Sequence, residues 1–309
     1  MSNPSNLVSF GPDANCTLSL CPVSATVYGY RPSIAANVVF LVLYGLCLIF
    51  NIAQLVRHRS WTFSISCILG CICEMLGYGG RILLYQNPFD FNGFMLQITC
   101  ITFAPVFYCA AIYVTLTKIV NFLGPQYSRL PPNAYYWIFI PCDLVSLALQ
   151  GTGGGMSTTS SGSSQVGVNI AIAGLSFQVF TLLCFIGLCL AYALSYRRHG
   201  GTFPRAKSAR EFKIFIGLLS FAMICILIRC IYRIDELSEG YSGPLIGDEG
   251  LFIGLEGVMV VLAAFALNAV LEWKIKAMGK ASGGSSDDKD VTIESSGNQE
   301  TGTHGKAMY

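Results

Sequence analysis

Seven apolar segments, each long enough or nearly long enough to cross a bilayer, divide the chain: Ile34 to Val56, Trp61 to Leu84, Phe94 to Thr117, Tyr135 to Leu149, Val168 to Leu194, Phe212 to Tyr232 and Gly250 to Leu271. A hydrocarbon core of about 30 Å takes roughly 20 residues of helix. Lipid offers no hydrogen-bond partner to a bare peptide group, so such segments must satisfy their own backbones as helices. The pattern predicts an all-α polytopic membrane protein of seven transmembrane helices. Three parts are expected: an extracellular N-terminal tail over 1–33, a helical domain over 34–273 and a disordered cytoplasmic tail over 274–309.

Charge sets the expected orientation. The loop after segment one holds Arg57 and Arg59, and the loop after segment three holds Lys118 and Arg129. The loop after segment five holds Arg197, Arg198, Arg205, Lys207, Arg210 and Lys213, and the C-terminal tail holds Lys274, Lys276, Lys280, Lys289 and Lys306. Only Arg31, Arg81, Arg229 and Arg233 lie elsewhere. Basic loops stay in the cytoplasm, which places the N-terminus outside and the C-terminus inside. The plasma membrane is the expected location, with an internal membrane as the alternative. Asn15-Cys16-Thr17 is an N-glycosylation sequon on the same outer tail, whereas Asn3-Pro4-Ser5 is blocked by its proline. Of the 13 cysteines, only Cys16 and Cys21 stand clear of the apolar segments. A local Cys16–Cys21 bridge and two free thiols both fit an outer tail.

Segment four is the least apolar. It carries Pro141 and Asp143 and runs into Gln150-Gly151-Thr152-Gly153-Gly154-Gly155, which predicts a kinked helix ending in a glycine-rich mouth. Met156 to Gln165 then reads as a flexible loop of serine, threonine and glycine.

Ionisable groups inside such helices need partners or water, because burying a bare charge in lipid costs about 2.5 kcal/mol at the least. They are few. Glu74, Gly77, Tyr78 and Arg81 share one face of segment two, and Arg229, Arg233 and Glu236 share one face of segment six. Asp143 lies mid-depth in segment four, Gln150 lies higher, Gln97 begins segment three and Glu256 lies in the first turns of segment seven. With Gln178 of segment five, these are the expected substrate-binding residues, converging on a cavity open to the outer side. Gly70, Gly77, Gly79 and Gly80 read as sites of close helix contact. Interhelical ion pairs that only fix helix register are the competing reading of the charged groups.

Several classes have nothing to stand on. His58, His199 and His304 all lie outside the apolar segments, and segment seven has no lysine before Lys274. No phosphate-binding glycine loop, nucleophile triad or metal-ligand spacing is present. The expectation is a non-enzyme with no cofactor, no metal and no nucleic-acid partner, working on membrane lipids and an amphipathic small-molecule substrate.

The strings GCICEMLGYGGR (Gly70 to Arg81), Ala104-Pro105 with Tyr113 downstream, DLVSLALQGTGGG (Asp143 to Gly155), GLSFQVF (Gly174 to Phe180) and RCIYRIDELSEG (Arg229 to Gly240) occur in this order, followed by Glu256. Together they resemble the fungal lipid-translocating exporter family, the RTA-like proteins. The resemblance implies a stress-resistance efflux protein for sphingoid long-chain bases, sterol analogues or porphyrins. Segment seven departs from the family pattern, which sets a second acidic residue shortly after the glutamate and closes on a His-Pro pair. Here Glu256 is followed by Gly257-Val258-Met259-Val260, and the segment ends Leu271-Glu272-Trp273. Two other functions suit seven spans: a lipid or sterol receptor, and a stress-induced membrane protein without transport.

Overall fold

The computed structural model describes residues 7–159, 165–199, 206–239 and 245–271. Among them stand seven long helices: α1 (Ile34–His58), α2 (Trp61–Gln86), α3 (Phe91–Leu123), α4 (Ala134–Thr159), α5 (Gln165–Arg198), α6 (Ala206–Ser238) and α7 (Glu249–Leu271). Six of them are long and apolar enough to cross a membrane. The exception is α4, which has the length at 26 residues but not the hydropathy, because Asp143 and its glycine, serine and threonine half dilute the apolar run. The expected C-terminal tail over 274–309 lies outside the described residues.

The distribution of side chains is that of a bundle in lipid. On α1 the buried residues are Asn37, Phe40, Tyr44, Cys47, Asn51 and Gln54, spaced alternately three and four apart, which keeps them on one face. Val39, Val42, Leu46 and Ile49 point outward and are exposed. Amides inside and aliphatics outside would be upside down in water. In lipid it lets Gln54 Nε2 donate to the Asn268 carbonyl of α7 at 3.0 Å while the aliphatic side chains meet acyl chains.

Helix ends follow local chemistry. Asp90 caps α3 by accepting from the Gly93 amide at 3.0 Å, which starts the helix three residues before the expected Phe94. Gly124, at φ 127°, ends it in a conformation that side chains avoid. Asp248 caps α7 through the amides of Gly250 and Leu251.

The expected loop over Met156 to Gln165 is corrected at both ends: Met156–Thr159 continue α4, and α5 already begins at Gln165. Packing overrides composition there. A Cβ on Gly153 would stand 2.6 Å from the Gly167 carbonyl oxygen, and one on Gly167 would stand 2.7 Å from the Ser157 amide nitrogen. Further along the same seam, a Cβ on Gly174 would stand 2.8 Å from the Ser146 carbonyl oxygen. Small residues let α4 and α5 approach backbone to backbone, the mode of association that lipid favours. The same device joins α2 to α3, where a Cβ on Gly70 would strike the Tyr108 ring and one on Gly80 would strike the Gly93 carbonyl. Gly77 meets Ile101. Gly79 does not share this role, since nothing lies within 4 Å of its Cβ position.

Candidate functional site

The N-terminal segment folds back onto one end of the bundle. Cys16 and Cys21 are joined by a disulfide, and Asn15 beside them is exposed. Phe10 packs edge-on against Phe91 and Phe94 at 5.9 and 5.1 Å. Arg31 Nε donates to the Tyr85 carbonyl at 2.7 Å, with its guanidinium 3.8 Å above the Tyr85 ring. Burial where this segment meets the bundle pushes its Tyr28 and Tyr30 phenols above the ordinary tyrosine range, against the opposing pull of Arg81.

Arg81 lies directly beneath and is fully buried. Its Nε donates to Asn37 Oδ1 at 3.0 Å, and its Nη2 reaches the Tyr30 hydroxyl at 3.3 Å and Glu249 Oε1 at 3.5 Å. The Phe252 ring stacks 4.0 Å below. Glu249 also accepts from the Ser33 amide at 2.6 Å, so one carboxylate ties the start of α7 to α2 and to the start of α1. Nearby, Gln97 Nε2 donates to the Tyr28 hydroxyl at 2.8 Å.

Deeper lies a second cluster. Arg229 is fully buried and pairs with Glu256, its Nε and Nη2 lying 2.8 and 2.7 Å from Oε1. Its Nη2 also donates to the Ile101 carbonyl at 2.9 Å. Arg233, one turn further along α6, pairs with Glu236, lies 3.9 Å from Glu256 Oε2 and reaches Thr102 Oγ1 at 3.3 Å. Glu256 belongs to a π-helical stretch, Phe252–Val258. Such wide turns mark functional sites more often than chance. This one presents Phe252 to Arg81 and Glu256 to Arg229. Gly257 within it faces Phe40 of α1, whose ring leaves no room for a Cβ.

Glu74 stands apart. It is 1% exposed, makes no hydrogen bond or ion pair among the described residues, and leaves Oε1 without a partner. Glu256 and Arg229 are its nearest charged influences. Tyr78, on the same face, stacks with Phe40 and Tyr44 at 5.0 and 5.8 Å, and its hydroxyl is unpartnered.

Asp143 forms a third cluster, accepting from the Tyr113 hydroxyl at 2.8 Å and from Thr181 at 3.2 Å. Two turns along α4, and one turn back along α5 from Thr181, Gln150 Nε2 donates to Gln178 Oε1 at 3.0 Å.

The polar groups therefore do not gather in a single cavity, as their depths along the sequence suggest. They form separate clusters, and Gln150 and Arg233 both line a cleft of about 60 Å³ between α3, α4, α5 and α6. Gly151, Gly154 and Gly155 form one of its walls, with Phe103 and Leu175 among its apolar lining. Sequence reasoning missed Tyr28, Tyr30 and Glu249 because they fall outside the apolar segments. The acidic first turn of α7, Asp248-Glu249, was the available signal.

Residues 67–276 match the family described as RTA1 like protein. The chain belongs to this family. It is similar to the "Sphingoid long-chain base transporter RSB1" of Saccharomyces cerevisiae (strain Lalvin EC1118), at 33% identity over 77% of this chain and 71% of the relative. "Protein RTM1" of the same species is 27% identical, covering 69% of each chain. "Protoporphyrin uptake protein 1" is 27% identical over 64% of this chain and 65% of its own length. No solved structure matches. The relatives named for an activity are transport and uptake proteins, and among the described residues no group of His, Cys, Asp and Glu could hold a metal ion.

Proposed function

We propose that this RTA1-like protein moves amphipathic lipids or lipid-like toxins toward the outer leaflet or out of the cell, without hydrolysing ATP. Sphingoid bases, sterol analogues and porphyrins are the candidate substrates. In this reading all seven helices cross the plasma membrane, with the N-terminus outside and the C-terminus inside. α4 crosses despite its low hydropathy because the glycine seam seats it against α5 and Asp143 is satisfied by Tyr113 and Thr181. The disulfide and the exposed sequon at Asn15 suit an outer tail.

The observation that carries the proposal is the cleft at Arg233. It pairs a glycine wall and apolar lining with Arg233, whose ion pair with Glu236 is more exposed, at 13% and 6%, than the Arg229–Glu256 pair beneath it, at 0% and 1%. An ammonium headgroup there can replace Arg233 as the partner of Glu236 and Glu256 while its tail stays in lipid. Glu74, buried and unpartnered, and Arg229 extend the polar path inward past Tyr78. Gln97 and Arg81 extend it toward the tail.

The test is resistance to, and export of, sphingoid bases in a sensitised yeast strain. Glu236→Gln, Glu74→Gln and Gly154→Trp are each expected to lose resistance at unchanged surface level. Full resistance in all three would sink the cleft as the route. Arg229→Ala is a poorer probe, because it strips Glu256 of its nearer partner and tests folding first. The same panel includes Asn15→Gln, expected to abolish a glycosidase-sensitive mobility shift. A shift that persists would exclude glycosylation at Asn15.

A further inference from the structure

At the end of the bundle away from the N-terminal segment, α3, α5 and α6 part around a groove of about 580 Å³, roughly ten times the 60 Å³ of the cleft at Arg233. Its walls are apolar, with Leu116 and Ile119 from α3, Ile186 and Leu190 from α5, and Ile216 and Met223 from α6. Its mouth is not. Arg197 near the end of α5 and Lys213 near the start of α6 stand there together. Both are exposed, and neither forms an ion pair among the described residues.

The dimensions are those of one leaflet. From Lys213 to Ile224 on α6, and from Arg197 back to Ile186 on α5, the lining spans twelve residues, a rise of about 16 Å along the helix. That is close to half of a hydrocarbon core of about 30 Å. An acyl chain laid along the groove runs from the headgroup boundary to the bilayer middle, and its headgroup then sits between two cations. A sphingoid amine or other cationic head is repelled at that mouth, so the groove does not suit the amine expected at the Arg233 cleft. An anionic head is drawn to it, each such cation near a membrane surface contributing about 1 kcal/mol.

We propose that this groove is a binding site for one anionic glycerophospholipid, with an acyl chain between α5 and α6 and its headgroup on Arg197 and Lys213. In the orientation proposed above, the site opens to the cytoplasmic leaflet, where anionic lipids concentrate. The inference rests on that orientation for its source of lipid and does not require transport.

Native mass spectrometry of the full-length protein in mild detergent, titrated with phosphatidylserine or phosphatidylcholine of matched chains, tests it. One phosphatidylserine is expected to be retained under conditions that remove phosphatidylcholine. The double variant Arg197→Gln/Lys213→Gln is expected to weaken retention about 30-fold, which is roughly 2 kcal/mol at 1.4 kcal/mol per tenfold. Ile216→Trp, which fills the groove and leaves both charges, is expected to lose the lipid as well. Equal retention of the two lipids, or phosphatidylserine binding that survives both variants, would overturn the proposal. So would a second copy of the chain bound in place of lipid. A variant dead in export that still binds phosphatidylserine leaves this site standing and counts only against the transport reading.

Discussion

Arg229 and Arg81 are both guanidinium groups sealed among apolar helices, and both face the start of α7, yet they are held by different means. The carboxylate on Arg229 belongs to Glu256, itself 1% exposed and 2.7 Å away. The carboxylate on Arg81 belongs to Glu249, 25% exposed and 3.5 Å away, and the rest of its shell is Asn37, Tyr30 and the face of Phe252. One pair is buried on both sides. The other lies under the N-terminal segment, with a carboxylate that is partly exposed. The first is a lock between helices, and the second is a latch that joins the N-terminal segment to the bundle.

The largest expected effect comes from breaking the lock. Arg229→Met leaves Glu256 charged with only the more distant Arg233 at 3.9 Å, a loss toward the low end of the about 3 to 5 kcal/mol for a broken buried pair. Adding Glu256→Leu is expected to restore most of it, because removing both charges removes the desolvation cost with them. Thermal unfolding in detergent reads this directly, and equal losses in the single and double variants would mean the lock is not electrostatic. Arg81→Met is expected to cost less, about 1 to 2 kcal/mol, the scale of losing hydrogen bonds to a partly exposed partner. Its signature is faster amide exchange over residues 7–33 with the helices unchanged. Should exchange rise throughout α2 and α7 instead, the distinction between lock and latch fails.

The smallest effect is one of pH. Burial raises the Tyr28 and Tyr30 phenols above the usual value of about 10. A released segment would ionise first, so docking is at full strength below that value and weakens as pH climbs through the raised range. Ultraviolet titration is expected to show a late tyrosine component that shrinks in Tyr28→Phe/Tyr30→Phe, the remainder coming from buried tyrosines such as Tyr44 and Tyr108. A late component of unchanged size in that variant would show these two phenols to be open to water.

The charged faces were legible because helical periodicity is rigid. Residues three, four and seven apart share a side, so Glu74, Tyr78 and Arg81 on α2, and Arg229, Arg233 and Glu236 on α6, could be grouped from spacing alone. Which acid meets which base could not be grouped that way. Arg229 takes Glu256, which the π turn at Phe252–Val258 presents to α6, while Glu74 on α2 takes no base among the described residues. The length of α4 was hidden for a similar reason. Glycine, serine and threonine argue for a loop by intrinsic preference, and they form helix here because small side chains let α4 and α5 touch.

The sequence by itself determined that the chain is a bundle of apolar helices and which side of each helix is polar. Lipid leaves the backbone no partner but itself, and 3.6 residues per turn fixes the faces once a helix forms. Only the tertiary structure decided the partners, the separation of the polar clusters and the two openings at Arg233 and at Arg197 with Lys213. Those depend on how far one helix slides and turns against the next, and that is set by side-chain contacts between segments far apart in the chain.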